Sequence, residues 1–339
     1  MADPTNALFS AFAFIGFIIT LIPLPWHLEA WNSGTCYFMI WTSLGCLNQF
    51  INSIIWRGNA LNSAPVWCDI STRLTLGVSV AIPAASLCIN RRLYQIAKIH
   101  AVVVTRADKR RAIFIDSILC FLIPVLVMAL YYVVQGHRFD IFEDVGCYPV
   151  VYDTLLSYFL INMWPLIFGL VSAVYCSLSI YSFSKRRASF NEFMTSNKSI
   201  TVSRYFRLMA LAMTDLLCTV PFALYSIWLN ASVGVQKWVS WSDTHFDFSR
   251  VDQFPSVLWH LDQRTVVSIE LTRWLLPVCA ILFFLYFGFA SEARRHYRVF
   301  FYVIAKPFGI KPPTKKPSGS AAGYASFTPV SVSWTNHCL

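Results

Sequence analysis

Charged residues are scarce in this chain, and the usual catalytic signatures are missing. Only 13% of the 339 residues are charged, about half the share of an average soluble domain. There is no Walker loop, no HExxH, no GxSxG and no His/Cys group at metal-binding spacing, so the chemistries that those motifs carry are excluded. The seven histidines are scattered, and His27 with Glu29 in one short segment does not make an active site. No enzymatic activity, metal or cofactor is expected. Lysine is absent from every long apolar stretch, which leaves no amine for a Schiff base to retinal. Basic residues are also absent from Met1–Asn6, and the first apolar stretch ends in Pro23-Leu-Pro-Trp with no small-residue cleavage site. That start reads as a retained first span rather than a signal peptide.

Hydrophobicity fills the space left by charge. The chain is 56% hydrophobic and 16% aromatic, a membrane composition. Seven long apolar stretches can be drawn, at 7–24, 34–56, 70–89, 112–134, 154–180, 208–229 and 266–290. Each has about the ~20 residues that a helix needs to cross a ~30 Å hydrocarbon core. They lack the alternation of barrel strands, and only helices or closed barrels satisfy their backbone in lipid. Lys and Arg then fall unevenly between them. The segments 91–111, 181–207 and 291–339 hold 7, 6 and 7 basic residues, whereas 57–69, 135–153 and 230–265 hold 1, 1 and 3. Basic residues stay on the cytoplasmic side. The expected fold is therefore an all-α membrane protein, a seven-transmembrane helix bundle with its N-terminus outside and its C-terminus cytoplasmic. Residues 1–6 form a short extracellular N-terminus and 7–290 the bundle; 291–305 suit an interfacial helix and 306–339 a disordered cytoplasmic tail. The net charge of +10 belongs to the cytoplasmic loops and membrane lipids, not to nucleic acid.

Ionisable residues within the spans are few, and such residues should face the interior and pair. Asp116 and Asp215 lie toward the cytoplasmic half; Arg73, Glu270 and Arg273 lie toward the outer half, with Asp69 just above. Glu270 and Arg273 share a helical face, and an outer cluster with Arg73 or Asp69 is expected, either as a structural ion pair or as the polar floor of a ligand pocket. Asp140, Glu143, Asp144 and Asp153 make the loop 135–153 acidic, and the loop 230–265 mixes acids with tryptophan and phenylalanine. Such loops suit a cationic, partly apolar ligand. Candidate ligand contacts are Asp69, Arg73, Asp140, Glu143, Asp144, Glu270, Arg273 and Trp274. Of the ten cysteines, only Cys68 and Cys147 sit at the outer face; they suit a disulfide in an oxidising compartment, the alternative being two free thiols. Interior prolines occur in spans three to seven, at Pro83, Pro124, Pro165, Pro221 and Pro277. Each is a hinge or a static kink, and Pro221 and Pro277 are the hinge candidates.

Two stretches carry a resemblance. One is Pro23-Leu-Pro-Trp-His-Leu-Glu-Ala-Trp-Asn-Ser-Gly34. The other runs from Pro65-Val-Trp-Cys-Asp-Ile through Ala81-Ile-Pro-Ala-Ala-Ser-Leu-Cys-Ile-Asn-Arg-Arg-Leu-Tyr94. Together they resemble the fungal lipopeptide mating-pheromone receptors, the a-factor-receptor type of class D G-protein-coupled receptors, with a basidiomycete flavour. Tyr286-Phe-Gly-Phe-Ala-Ser-Glu-Ala293 is similar to that family's Phe-Phe-Gly-Phe-Gly-x-Glu-Ala ending, with Ala290 where Gly is usual. The resemblance implies a plasma-membrane receptor for an extracellular farnesylated peptide pheromone. It further implies activation of a heterotrimeric G protein and a mating MAP-kinase pathway. Coupling would fall at the cytoplasmic ends of spans three, five and six, on Arg91, Arg92, Arg186, Arg187, Arg204 and Arg207. The competing reading is a secondary transporter, which the absence of an internal repeat disfavours.

Overall fold

The computed structural model describes residues 4–98, 105–185, 202–289 and Ala293. The proposed interfacial helix and tail, 291–339, fall outside these residues apart from Ala293. Seven long helices organise the described chain: α1 Pro4–Leu21, α2 Ser33–Ile55, α3 Pro65–Lys98, α4 Arg106–Val134, α5 Leu155–Lys185, α6 Val202–Val233 and α7 Gln263–Phe287. The first begins at Pro4, so residues 4–6, read above as an extracellular segment, are helical. Six helices are long and apolar enough to cross a membrane. The exception is α2, whose 23 residues would reach about 35 Å. It carries Thr35, Thr42, Ser43, Asn48, Asn52 and Ser53, all buried in the bundle, which lowers its hydropathy without exposing polar groups to lipid.

The centre of the bundle is α3. Of its most apolar window 78% is buried, against 22–39% for the other five apolar helices. Ala81, Ala84, Ala85 and Ser86 are at most 2% exposed, and such small side chains let neighbouring backbones approach closely. Helices α2, α4, α5 and α6 all pack against it. The outward faces are apolar instead, with Phe114, Phe121, Val174 and Leu217 exposed, as a helix facing lipid requires.

The prolines are accommodated in two ways. Wide π turns at Ile118–Leu122 and Tyr158–Asn162 lie just before Pro124 and Pro165. Proline has no N–H to offer the carbonyl four residues back, which for Pro124 is that of Cys120. The indole Nε1–H of Trp41, on α2, donates to this carbonyl at 2.8 Å. In α5 the indole of Trp164 donates to the Leu160 carbonyl at 3.0 Å. Pro221 and Pro277 lie inside the helices α6 and α7.

The all-α expectation needs one amendment. Three short strands, β1 Phe139–Phe142, β2 Gly146–Tyr148 and β3 Val251–Phe254, form a sheet in the order β2-β1-β3. β1 pairs antiparallel with β2 and parallel with β3. The sheet thus joins the α4–α5 connection to the α6–α7 connection. Phe139 and Ile141 point to one side and are fully buried with Trp56, Cys68 and Cys147. Cys68, in the first turn of α3, is bonded to Cys147 of β2 with Cα atoms 5.2 Å apart. Gly146 sits at φ +94°, and a Cβ there would lie 2.7 Å from Asn52 Cβ and 2.8 Å from the Trp56 ring. Only glycine meets both conditions.

Candidate functional site

A cavity of about 590 Å³ lies in the bundle beside the sheet, within the ~300–1,000 Å³ usual for small-ligand sites. Asn48 and Gln49 of α2, Thr75 and Ser79 of α3, Asn162 of α5 and Thr272 of α7 give it a polar side. Ile82, Ile161, Phe222, Ile227, Leu275 and Leu276 give it an apolar one. From the loops come Asp140, Tyr148 and Asp153. Burial pushes the Asp153 carboxyl up in pKa, offset in part by the Tyr158 hydroxyl beside it.

Of the side chains singled out for ligand contact, only Asp140 lines this cavity. The expected cluster of Glu270 and Arg273 with Arg73 or Asp69 does not form. Asp69 is taken by Arg138 instead, whose Nη2 donates to it at 2.6 Å and Nε at 3.1 Å. This paired carboxylate raises the Arg138 pKa. Arg73 donates to the Asp69 carbonyl one turn earlier, at 2.8 Å. Arg273 pairs with Glu270 at 3.3 Å, donates to Asn6 Oδ1 at 2.6 Å and covers the Phe9 ring at 4.0 Å. Asn6 in turn donates to the buried Asp144 at 2.9 Å, and Asp144 also accepts from the Gly58 N–H. Trp274 donates to Glu270 and packs on Phe9 and Phe12. Glu143 accepts from the Ser256 N–H at 2.6 Å. Asp144, Glu270, Arg273 and Trp274 therefore knit α1, α7 and the β1–β2 turn together. Asn6 is the bridge, and spacing along the chain gave no sign of it.

A second group ties the two loops. His137 Nε2 lies 2.7 Å from Asp140 Oδ1 and 3.6 Å from Asp252 Oδ2. Arg250 lies 3.1 Å from His137 Nδ1 and pairs with Asp252. A guanidinium only donates, so Nδ1 is the acceptor and the proton of the neutral ring is assigned to Nε2, toward Asp140. His137, Asp140 and Asp252 are close enough to share a cation, but an ion would need the Nε2 lone pair that this tautomer gives up. The group works as a hydrogen-bonded clasp across the β1–β3 pairing.

At the opposite end of the bundle, Arg91 of α3 pairs with Asp116 of α4 at 2.7 Å, and Ser33 of α2 also donates to Asp116. Arg92 donates to the Trp31 carbonyl and to Asn32 Oδ1, the latter at 3.2 Å. Both arginines thus hold α3 to α4 and to the α1–α2 connection. Asn90 donates to Ser172 at 2.8 Å, and Tyr205 and Ser179 join α6 to α5 at 2.7 Å. Arg207 is half-buried on α6. Arg186 and Arg187 lie outside the described residues, as do the side chains of Arg204 and Asp215.

A bundle of lipid-length helices around a ligand-sized cavity, roofed by loops tied in a sheet, defines a multi-pass membrane protein built to bind something. Comparison with known proteins gives its kind. Residues 8–308 match the family model described as "STE3: Pheromone A receptor", and the chain belongs to that family, whose members are receptors of the plasma membrane and not enzymes. It is 57% identical over 298 residues to the "Pheromone B alpha 3 receptor" of Schizophyllum commune, covering 88% of this chain and 48% of that one. It is 33% identical to "Pheromone receptor 1" of Mycosarcoma maydis, covering 86% and 82%. It is 26% identical to the "Pheromone a factor receptor" of Saccharomyces cerevisiae, covering 84% and 59%. The chain spans about half the length of the Schizophyllum receptors that it matches.

Proposed function

We propose that this chain is the receptor for an extracellular farnesylated peptide mating pheromone, and that it activates a heterotrimeric G protein feeding a mating MAP-kinase pathway. It crosses the membrane seven times, with α2 as the polar interior span, its N-terminus outside and its C-terminus in the cytoplasm. The charge asymmetry supports this orientation, because the connections at the sheet end hold few basic residues and those at the Arg91 end hold many.

The observation that carries the reading is the two-sided cavity. Its apolar wall between α3, α5, α6 and α7 suits a prenyl chain, and its polar wall and acidic loops suit a peptide with positive charge. At about 590 Å³ it holds part of a lipidated peptide, the remainder lying against the loops. Binding that favours one arrangement of α6 and α7 shifts the population of states. Pro221 and Pro277 are the points at which those helices would bend. The opposite end would then be remodelled around Arg91, Arg92 and Arg207 for the G protein to engage, and Arg186, Arg187 and Arg204 are coupling candidates from the sequence alone.

The test is a yeast mating reporter lacking its own receptor. Synthetic peptides ending in S-farnesyl cysteine methyl ester should switch it on, and the same peptides without the prenyl group should be weaker by about a hundredfold or more, given ~0.8 kcal/mol per buried CH₂. Silence toward every prenylated peptide, at normal surface abundance, contradicts the reading.

A further inference from the structure

We infer that Asp153, with the Tyr158 hydroxyl beside it, is the anchor for an ammonium group of the ligand at the wall of the cavity. The inference rests on the pheromone reading above and names the charge that this site selects.

Most acids near the sheet already have partners. Asp69 is held by Arg138, Asp252 by Arg250 and Glu270 by Arg273. Asp144 and Glu143 are met by N–H donors. Two acids line the cavity, Asp140 and Asp153. Asp140 already faces His137 at 2.7 Å. Asp153 is half-buried at the cavity wall, and among the described residues no Lys, Arg or His pairs with it. A carboxylate removed from water and left without a cation is costly unless something supplies the charge. The hydroxyl of Tyr158, a residue 9% exposed, lies against this carboxylate, but a phenol brings it no positive charge. An ammonium has three donors, enough to meet a carboxylate and a phenol oxygen together. A prenyl chain has none.

The backbone holds this anchor in place. The Asp153 carbonyl accepts from the Gln236 N–H at 2.8 Å, and Thr154 bridges to Gln236 in parallel. Thr154 also caps the start of α5. Asp153 therefore stands where the start of α5 meets the segment that follows α6. A ligand charge docked there pulls on both helices.

Matched synthetic peptides test this. Each pair ends in S-farnesyl cysteine methyl ester and differs only in whether its amines are free or acetylated. In the reporter, wild-type receptor should respond to the free-amine member at a concentration at least about tenfold lower. Asp153→Asn should erase that preference, the free-amine member losing at least about tenfold more potency than the acetylated one, and Tyr158→Phe should reduce the preference. A wild-type receptor that treats both members alike overturns the inference, and so does an Asp153→Asn receptor that loses both in parallel. The wild-type comparison needs no variant to fold. Failure of the pheromone reading looks different: neither member of any pair activates the wild type.

Discussion

Replacing Asp116 by alanine is expected to destabilise the receptor by about 3–5 kcal/mol, the range for breaking a buried ion pair from one side. The pair is well enclosed, with the Arg91 and Asp116 side chains 15% and 6% exposed. Removing the carboxylate strands the guanidinium among apolar helices and also deprives Ser33 of its acceptor. The double change Arg91→Ala with Asp116→Ala removes the stranded charge, so it should recover a good part of the loss. The unfolding midpoint of detergent-solubilised receptor reads this directly. A double variant no better than Asp116→Ala would mean that the two side chains act independently, and that the ion pair does not clamp α3 to α4.

Loss of the cross-link should rank next. With Cys68→Ser and Cys147→Ser together, the sheet is expected to lose about 2–4 kcal/mol of anchoring and the pheromone response to collapse. The bond closes a loop of 79 residues, for which chain entropy alone gives roughly 4–5 kcal/mol. Embedded helices already restrict the chain ends, so the lower range applies. The link matters because β2 is the strand that fixes β1 and, through it, β3. Without the covalent bond, the roof of the cavity is held by the Trp56, Phe139 and Ile141 contacts, the Arg138–Asp69 pair, the Asp144–Asn6 bridge and the polar clasp, all of them non-covalent. Alkylation of non-reduced protein should label neither cysteine, and a reductant should lower the midpoint of the wild type but not of the double variant. Undiminished response in the double variant would separate the roof from ligand recognition.

The helices were legible in the sequence because lipid imposes a simple rule, a long apolar run with charge sorted at its ends. Even there the polarity of α2 shows the limit of the rule. Asn48, Asn52 and Ser53 sit within the bundle, where hydropathy counts them as if they faced lipid. The sheet was not legible. Phe139–Phe142 is too short for its alternation to stand out, and its parallel partner Val251–Phe254 lies far along the chain. Pairings across helices were hidden for a related reason. Spacing puts Glu270 and Arg273 on one face, but it cannot say that Asn6 will meet that face or that Arg138, rather than Arg273, will take Asp69. Asp153 was legible only as one of several loop acids, because no spacing says which of them will line the cavity with no cation paired to it among the described residues. The adjacent amides Asn48 and Gln49 did leave a signal, since two such side chains in one span are expensive in lipid.

The most direct test of the account is where a photoreactive prenyl peptide attaches. A peptide that activates the reporter, rebuilt with a benzophenone in its prenyl chain and crosslinked on intact cells, should label the cavity wall at Phe222, Ile227 or Leu275, and excess unmodified peptide should prevent it. Labelling confined to the lipid-facing surfaces of α4 and α5, or to the Arg91 end of the bundle, would contradict the claim that the cavity beside the sheet receives the ligand.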